Sequence, residues 1–205
     1  MTRVTIADTV GEAFFGRLLK NQKARDAHSA WNRPNLQSPQ LLTVVSPDFT
    51  EGGAISLEST GKHVGGKNIS PTLTWSQVPP ATVQLLLVVE DLDVPLPKPA
   101  VHALALINPV LLAAPDHLPK GGLDRNKPAA GVRVLRSTLG SGYHGPEPIK
   151  GHGPHRYTFQ IFALSQRVGT TADEATLDRV RPRILLASIT SPVIARGRIT
   201  GTYKR

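Results

Sequence analysis

The chain contains no cysteine, one methionine and only 5% aromatic residues among its 205. Lack of cysteine excludes a disulfide framework, a thiolate metal centre and a thiol nucleophile, so any chemistry must rest on histidine, carboxylate and tyrosine groups. Long apolar runs are missing too. The most apolar stretch, Ala103 to Ala114, is broken by Asn108 and Pro109, short of the roughly 18–20 residues a membrane-spanning helix requires. Asp8 and Glu12 interrupt the N-terminal stretch where a secretory signal would carry an unbroken apolar segment, and they also argue against a transit peptide. Tyr203-Lys204-Arg205 matches no lipidation or retention signal. A soluble, cytoplasmic protein is the expectation.

Turn-forming residues, by contrast, are plentiful: glycine and proline number 18 each, which points to many short elements. At 40% hydrophobic residues the chain can bury a core without staples. Basic residues outnumber acidic ones by 24 to 15. The excess gathers in the C-terminal quarter, as Arg179, Arg181, Arg183, Arg196, Arg198 and Arg205. Such a surplus attracts polyanions, but no aromatic residues are interleaved for base stacking, so nucleic-acid binding is not expected. Only residues 51–100 are net negative, three basic against five acidic.

The periodicity predicts an amphipathic helix over 9–30, capped by Thr9, with Val10, Phe14 and Leu18 on one face. Asn32 to Pro39 ends it. Continuous apolar runs of strand length follow at Val83 to Glu90, Ala100 to Ile107 and Tyr157 to Leu164, the texture of strands buried on both faces. Helical character returns over Thr171 to Ala195, with Asp173 and Glu174 in the first turn. Pro182 should split this stretch and Pro192 should end it. Ile199 to Tyr203 reads as a closing strand. The pattern predicts one mainly β domain with peripheral helices, a helical extension occupying residues 1–38 and the body 39–205.

Three clusters bear on chemistry. Glu90-Asp91-Leu92-Asp93-Val94-Pro95 follows the most apolar strand, and carboxylates two apart on an extended chain point to one side, where they can share a proton or orient a histidine. Tyr143 to Tyr157 packs His144, His152 and His155 among glycines and prolines, a loop rich in donors. Its three histidines follow no metal-ligand spacing, so no metal is expected. Gly65-Gly66-Lys67-Asn68 with Gly61 approaches a phosphate-binding loop, but Asn68 replaces the magnesium-binding hydroxyl and Pro71 precludes the following helix. A serine hydrolase is equally unsupported, since Ser141 lies in no nucleophile elbow. His102, within an apolar strand, becomes interesting only if it faces the Asp91/Asp93 rim.

The order Gly66-Lys67-Asn68-Ile69-Ser70-Pro71 to Trp75, then Asp91 to Pro95, then His102, then Gly151 to Tyr157 resembles the phosphatidylethanolamine-binding protein family. The closing Ile194-Ala195 to Gly201-Thr202-Tyr203 resembles it too. The likeness covers about residues 40 to 205, and Gly153 to Tyr157 is its most specific element. It implies a β-sandwich, a large sheet packed on a smaller one, with helices mostly C-terminal. It also implies a pocket for phosphate, phosphomonoester or carboxylate groups lined by Asp91, Asp93, His102, His155 and Tyr157, with Gly145 and the loop to Gly151 beside it, and no cofactor. In that pocket protonated His102 and His155 would pair with the anion while Asp91 and Asp93 hold the rings.

Two functions follow from the resemblance. One is a ligand-binding regulator or inhibitor of a kinase or protease, taking a small anion or a lipid head group. The other is an enzyme of natural-product biosynthesis, such as maleic-anhydride dimerisation, with His155 or His102 as base and Tyr157 as donor. The chain departs from the family pattern at Leu92, where proline is usual and whose absence would loosen the turn. It departs again at Ala103, where an aromatic is common, and at Ser191-Pro192, where many relatives have Gly-His.

Overall fold

A computed structural model describes residues 6–76, 78–114, 116–169 and 174–205. Among these described residues eight strands form two sheets. The larger is antiparallel throughout, in the order β6 (Val132–Val134), β4 (Ala100–Ile107), β3 (Gln84–Asp91), β7 (His155–Leu164), β8 (Val193–Tyr203). The smaller holds β1 (Val44–Val45), β2 (Leu73–Trp75) and β5 (His117–Leu118).

Every residue of β3 and β4 is buried, because the large sheet is the middle of three layers. One face, with Leu85, Leu87, Val89, Ala105, Phe159 and Ile161, packs on Trp75, Leu73 and Leu118 of the small sheet. The other face presents Leu86, Val88, Leu104, Leu106 and Phe162 to Leu36, Leu185 and Leu186. Burial on both sides is why these strands read as unbroken apolar runs.

The predicted N-terminal helix is shorter than expected. Helix α1 spans Ile6–Leu18, so Thr9 lies inside it, and the chain then makes 3₁₀ turns at Asp26–His28, Ala30–Asn32 and Pro34–Leu36. These turns are drawn down onto the sheet: Ala30 is fully buried and its N–H donates to the buried Glu90 carboxylate at 2.8 Å. The predicted apolar stripe is also not the docking face. Phe14 and Leu18 are exposed, whereas Gly16 is buried against the backbone of Lys150 and His152.

At the other end, α2 (Glu174–Leu177) and α3 (Pro182–Ser188) flank the break expected at Pro182, which occupies the first helical position of α3. The predicted start at Thr171 and Asp173 lies outside the described residues. β8 begins at Val193 rather than Ile199. Arg196 and Arg198 make its sequence look polar, yet both lie over the Trp31 ring as cations.

Candidate functional site

Asp91 ends β3 directly opposite Tyr157 of β7, so both side chains leave the same face of the sheet. His102 reaches that face by a different device. Val89 pairs with Ala103 and Glu90 with Val101, leaving His102 as an extra residue on β4, a β-bulge. Strict alternation would have put His102 with Leu104 and Leu106 on the opposite face. Instead its ring meets Tyr157 edge-on, with centroids 5.2 Å apart.

These residues line a cavity of about 340 Å³ with His155, Thr138, Glu147 and a largely apolar wall that includes Val94, Leu96, Leu139 and Ile149. Glu147 and Ile149 belong to the loop between Gly145 and Gly151, whereas Thr138 and Leu139 carry no local signal in the sequence. Among the described residues no lysine or arginine is in the lining.

Hydrogen bonding assigns each polar group a state. His102 Nδ1 donates to the carbonyl of His144 at 2.7 Å, and the N–H of His144 returns a bond to the His102 carbonyl. Burial lowers the His102 pKa, with the nearby Asp91 carboxylate only partly offsetting it. The ring is therefore neutral near pH 7, with Nε2 as an open acceptor. This replaces the expected protonated His102.

His155 differs. Its Nδ1 lies 2.7 Å from Asp91 Oδ2, its Nε2 lies 2.7 Å from His152 Nδ1, and His152 Nε2 lies 3.0 Å from the carbonyl oxygen of Gln22. That carbonyl can only accept, so His152 Nε2 carries a proton. The three bonds of the row then need three protons among Asp91, His155 and His152. His152 and the Gln22 carbonyl are thus positioning groups that sequence reasoning had not assigned.

Tyr157 Oη is buried with no well-formed hydrogen bond. Burial, then the charge of the Asp91 carboxylate and a weak hydrogen bond toward it, raises its pKa far above the ordinary phenol value, so it remains a neutral donor.

Two expected residues are not in the lining. β3 ends at Asp91, and Asp91 Oδ1 accepts the Asp93 N–H at 2.8 Å, turning the chain. The expected pair of carboxylates on one side is therefore not formed. Asp93 turns to Arg156, accepting from its backbone N–H and from Nε at 2.8 Å each, and to Lys23 at 3.0 Å. Nor does Leu92 loosen the turn, because its N–H donates to the Arg156 carbonyl, a bond proline could not make.

Gly145 is absent because its N–H is spent on Asn68 Oδ1 at 2.7 Å and a Cβ there would overlap the Ser59 carbonyl. Asn68 also donates to the Tyr143 carbonyl. The phosphate-loop-like segment is thus a clamp for the Tyr143–Gly145 loop. Among the described residues no cluster of three His, Asp or Glu side chains is arranged to hold a metal, and no helix is long and apolar enough to cross a membrane.

Comparison with known proteins agrees with this architecture. The family model described as phosphatidylethanolamine-binding protein matches residues 45–204. Phomoidride biosynthesis cluster protein B from a fungal species is 31% identical over 166 residues, 77% of each chain. The putative lipoprotein LppC of Mycobacterium tuberculosis is 32% identical over 167 residues, 80% of this chain and 72% of that one. The crystal structure of Escherichia coli YbcL, described as a new member of the mammalian PEBP family, superimposes with a TM-score of 0.67 at 26% identity, covering 80% of this chain and 98% of YbcL.

Proposed function

The chain belongs to the phosphatidylethanolamine-binding protein family, and from that premise we propose that it binds a small ligand with an acidic head, a carboxylate or phosphomonoester, on an apolar body. One observation carries this reading: two polar groups without full partners, the Tyr157 hydroxyl and His102 Nε2, converge on one cavity beside the Asp91–His155 pair. Tyr157 donates to a ligand oxygen beside the Asp91–His155 pair. His102 Nε2 accepts from a protonated ligand oxygen. With no lysine or arginine among the described residues of the wall, a monoanion suits the site better than a dianion at this end. The apolar walls take the carbon skeleton.

The test is a titration with inorganic phosphate, phosphoethanolamine and succinate while the His102 and His155 ring resonances are followed by NMR. Saturable shifts in both rings are expected. Rings that stay unmoved with all three probes would overturn the proposal.

Proton-transfer catalysis is a second reading, favoured by the neutral His102 set beside a phenol donor. His102 Nε2 would take a proton from an acidic carbon and Tyr157 would donate to the enolate oxygen. The naming of one relative for a phomoidride biosynthesis cluster directs the choice of substrate to maleic-anhydride-type units. Deuterium wash-in at the acidic carbon, abolished by His102→Gln, is the expected signature; wash-in no faster than in buffer removes this reading.

A further inference from the structure

Leu96, Ala100 and Thr138 line the head-group cavity and also line an adjoining trough with Pro97, Lys98, Pro99 and Arg183. Lys98 and Arg183 in turn line a third depression, of about 340 Å³, with His28 and Arg33. The shared walls make one groove with a polar head, an apolar middle and a basic end.

The basic end is short of negative charge. Arg183 is committed to the buried Glu90 at 2.7 Å and to the carbonyls of His28 and Pro99. Glu90 also accepts from Ala30 and Gln160. Among the described residues no acidic side chain lines the depression. Arg33 and Lys98 form no ion pair among the described residues, and Arg33 Nε is buried with no hydrogen-bond partner. Burial, then the neighbouring Arg183 charge, lowers the Arg33 pKa, against only a partial offset from Glu90. An orphaned guanidinium donor beside a free ammonium is the composition of an anion site.

Length is bounded by the backbone. Lys98 and His102 stand four residues apart, so their Cα atoms are at most about 14 Å from one another. Resting on the head-group reading above, we propose that the groove takes an elongated molecule with an anionic group at each end. One end sits in the His102 cavity and the other at Arg33 and Lys98, and an apolar linker lies on Leu96, Pro97 and Pro99.

The test is calorimetric titration with linear α,ω-dicarboxylates from succinate to dodecanedioate, beside monocarboxylates of the same lengths. Once the chain spans the groove, the diacid is expected to bind about ten-fold more tightly than its matched monoacid. That gain should vanish in Arg33→Gln/Lys98→Gln, while succinate still shifts the His102 resonance. The exposed Lys98→Gln change alone should remove part of the gain without risk to the fold. Diacids and monoacids that bind alike at every length, or a gain that survives in the double variant, overturn the second site alone when succinate still moves His102. If no probe moves His102, the head-group reading falls and this one falls with it.

Discussion

The Nε2 atom of His155 lies 2.7 Å from Nδ1 of His152, and this contact decides how many protons the site holds. The row ends in one direction at the Gln22 carbonyl, which only accepts, and in the other at the Asp91 carboxylate. Two neutral imidazoles bring two protons to three hydrogen bonds. The third lies between His155 Nδ1 and Asp91 Oδ2, 2.7 Å apart.

Long-range nitrogen–proton correlation should therefore show a hydrogen-bonded proton between His155 Nε2 and His152 Nδ1. His152→Phe should remove that signature and change the His155 ring pattern. A His155 pattern that is the same in both proteins would contradict the row.

Tyr157→Phe separates binding from stability. The hydroxyl it removes is buried with no well-formed hydrogen bond, so its loss should leave stability unchanged within about 1 kcal/mol. Affinity for phosphate or succinate should fall, on the order of ten-fold for one donor. Equal affinity in the two proteins, measured by the same titration, would remove Tyr157 from the head-group site.

Asp93 sets an acid limit on stability. Burial alone would raise its carboxyl, but hydrogen bonds from Arg156 and Lys23 outweigh burial and hold it at about 2, against an ordinary 3.8. Since the folded value is the lower one, this stabilisation is complete above about pH 4 and is lost as pH falls toward 2. Both cationic partners are nearly half exposed, which reduces the contribution to roughly 1–2 kcal/mol. Denaturant unfolding of Asp93→Asn should show that deficit at pH 7 and none at pH 2. A deficit that does not change with pH contradicts the assignment.

Two glycines of α1 should respond oppositely to alanine. Gly11 has open space around it, so Gly11→Ala should stabilise the helix by up to about 1 kcal/mol. At Gly16 the added methyl would overlap the Lys150 carbonyl, so Gly16→Ala should detach α1 from the Lys150–His152 loop. Protease cleavage within residues 6–18 reads this out, faster for Gly16→Ala and no faster for Gly11→Ala.

The central strands were legible because two-sided burial leaves a compositional mark: Ala100 to Ile107 matches β4 residue for residue, and Val83 to Glu90 matches β3 within one position. Strand β8 is longer than its sequence suggests because Arg196 and Arg198 find their apolar partner, Trp31, far away in sequence. Helix α1 is shorter than the spacing over 9–30 suggests because local spacing does not register the pull of Glu90 on Ala30. In the site, Asp91, His102, His155 and Tyr157 could be named from motifs. The departure of Asp93 could not, since it depends on Arg156 and on Lys23 reaching the same carboxylate.

Absence of cysteine, known from composition alone, limited the chemistry to histidine, carboxylate and phenol, and the order of short motifs placed those groups in one family. Both follow from residue identity, which needs no third dimension. The tertiary structure decided which of them face the cavity and in what protonation state. A single extra residue in β4 turns His102 toward Tyr157, and a carbonyl 130 positions from His152 fixes the protons of the row. Register and hydrogen-bond partnership are relations between distant segments, and only folding sets them.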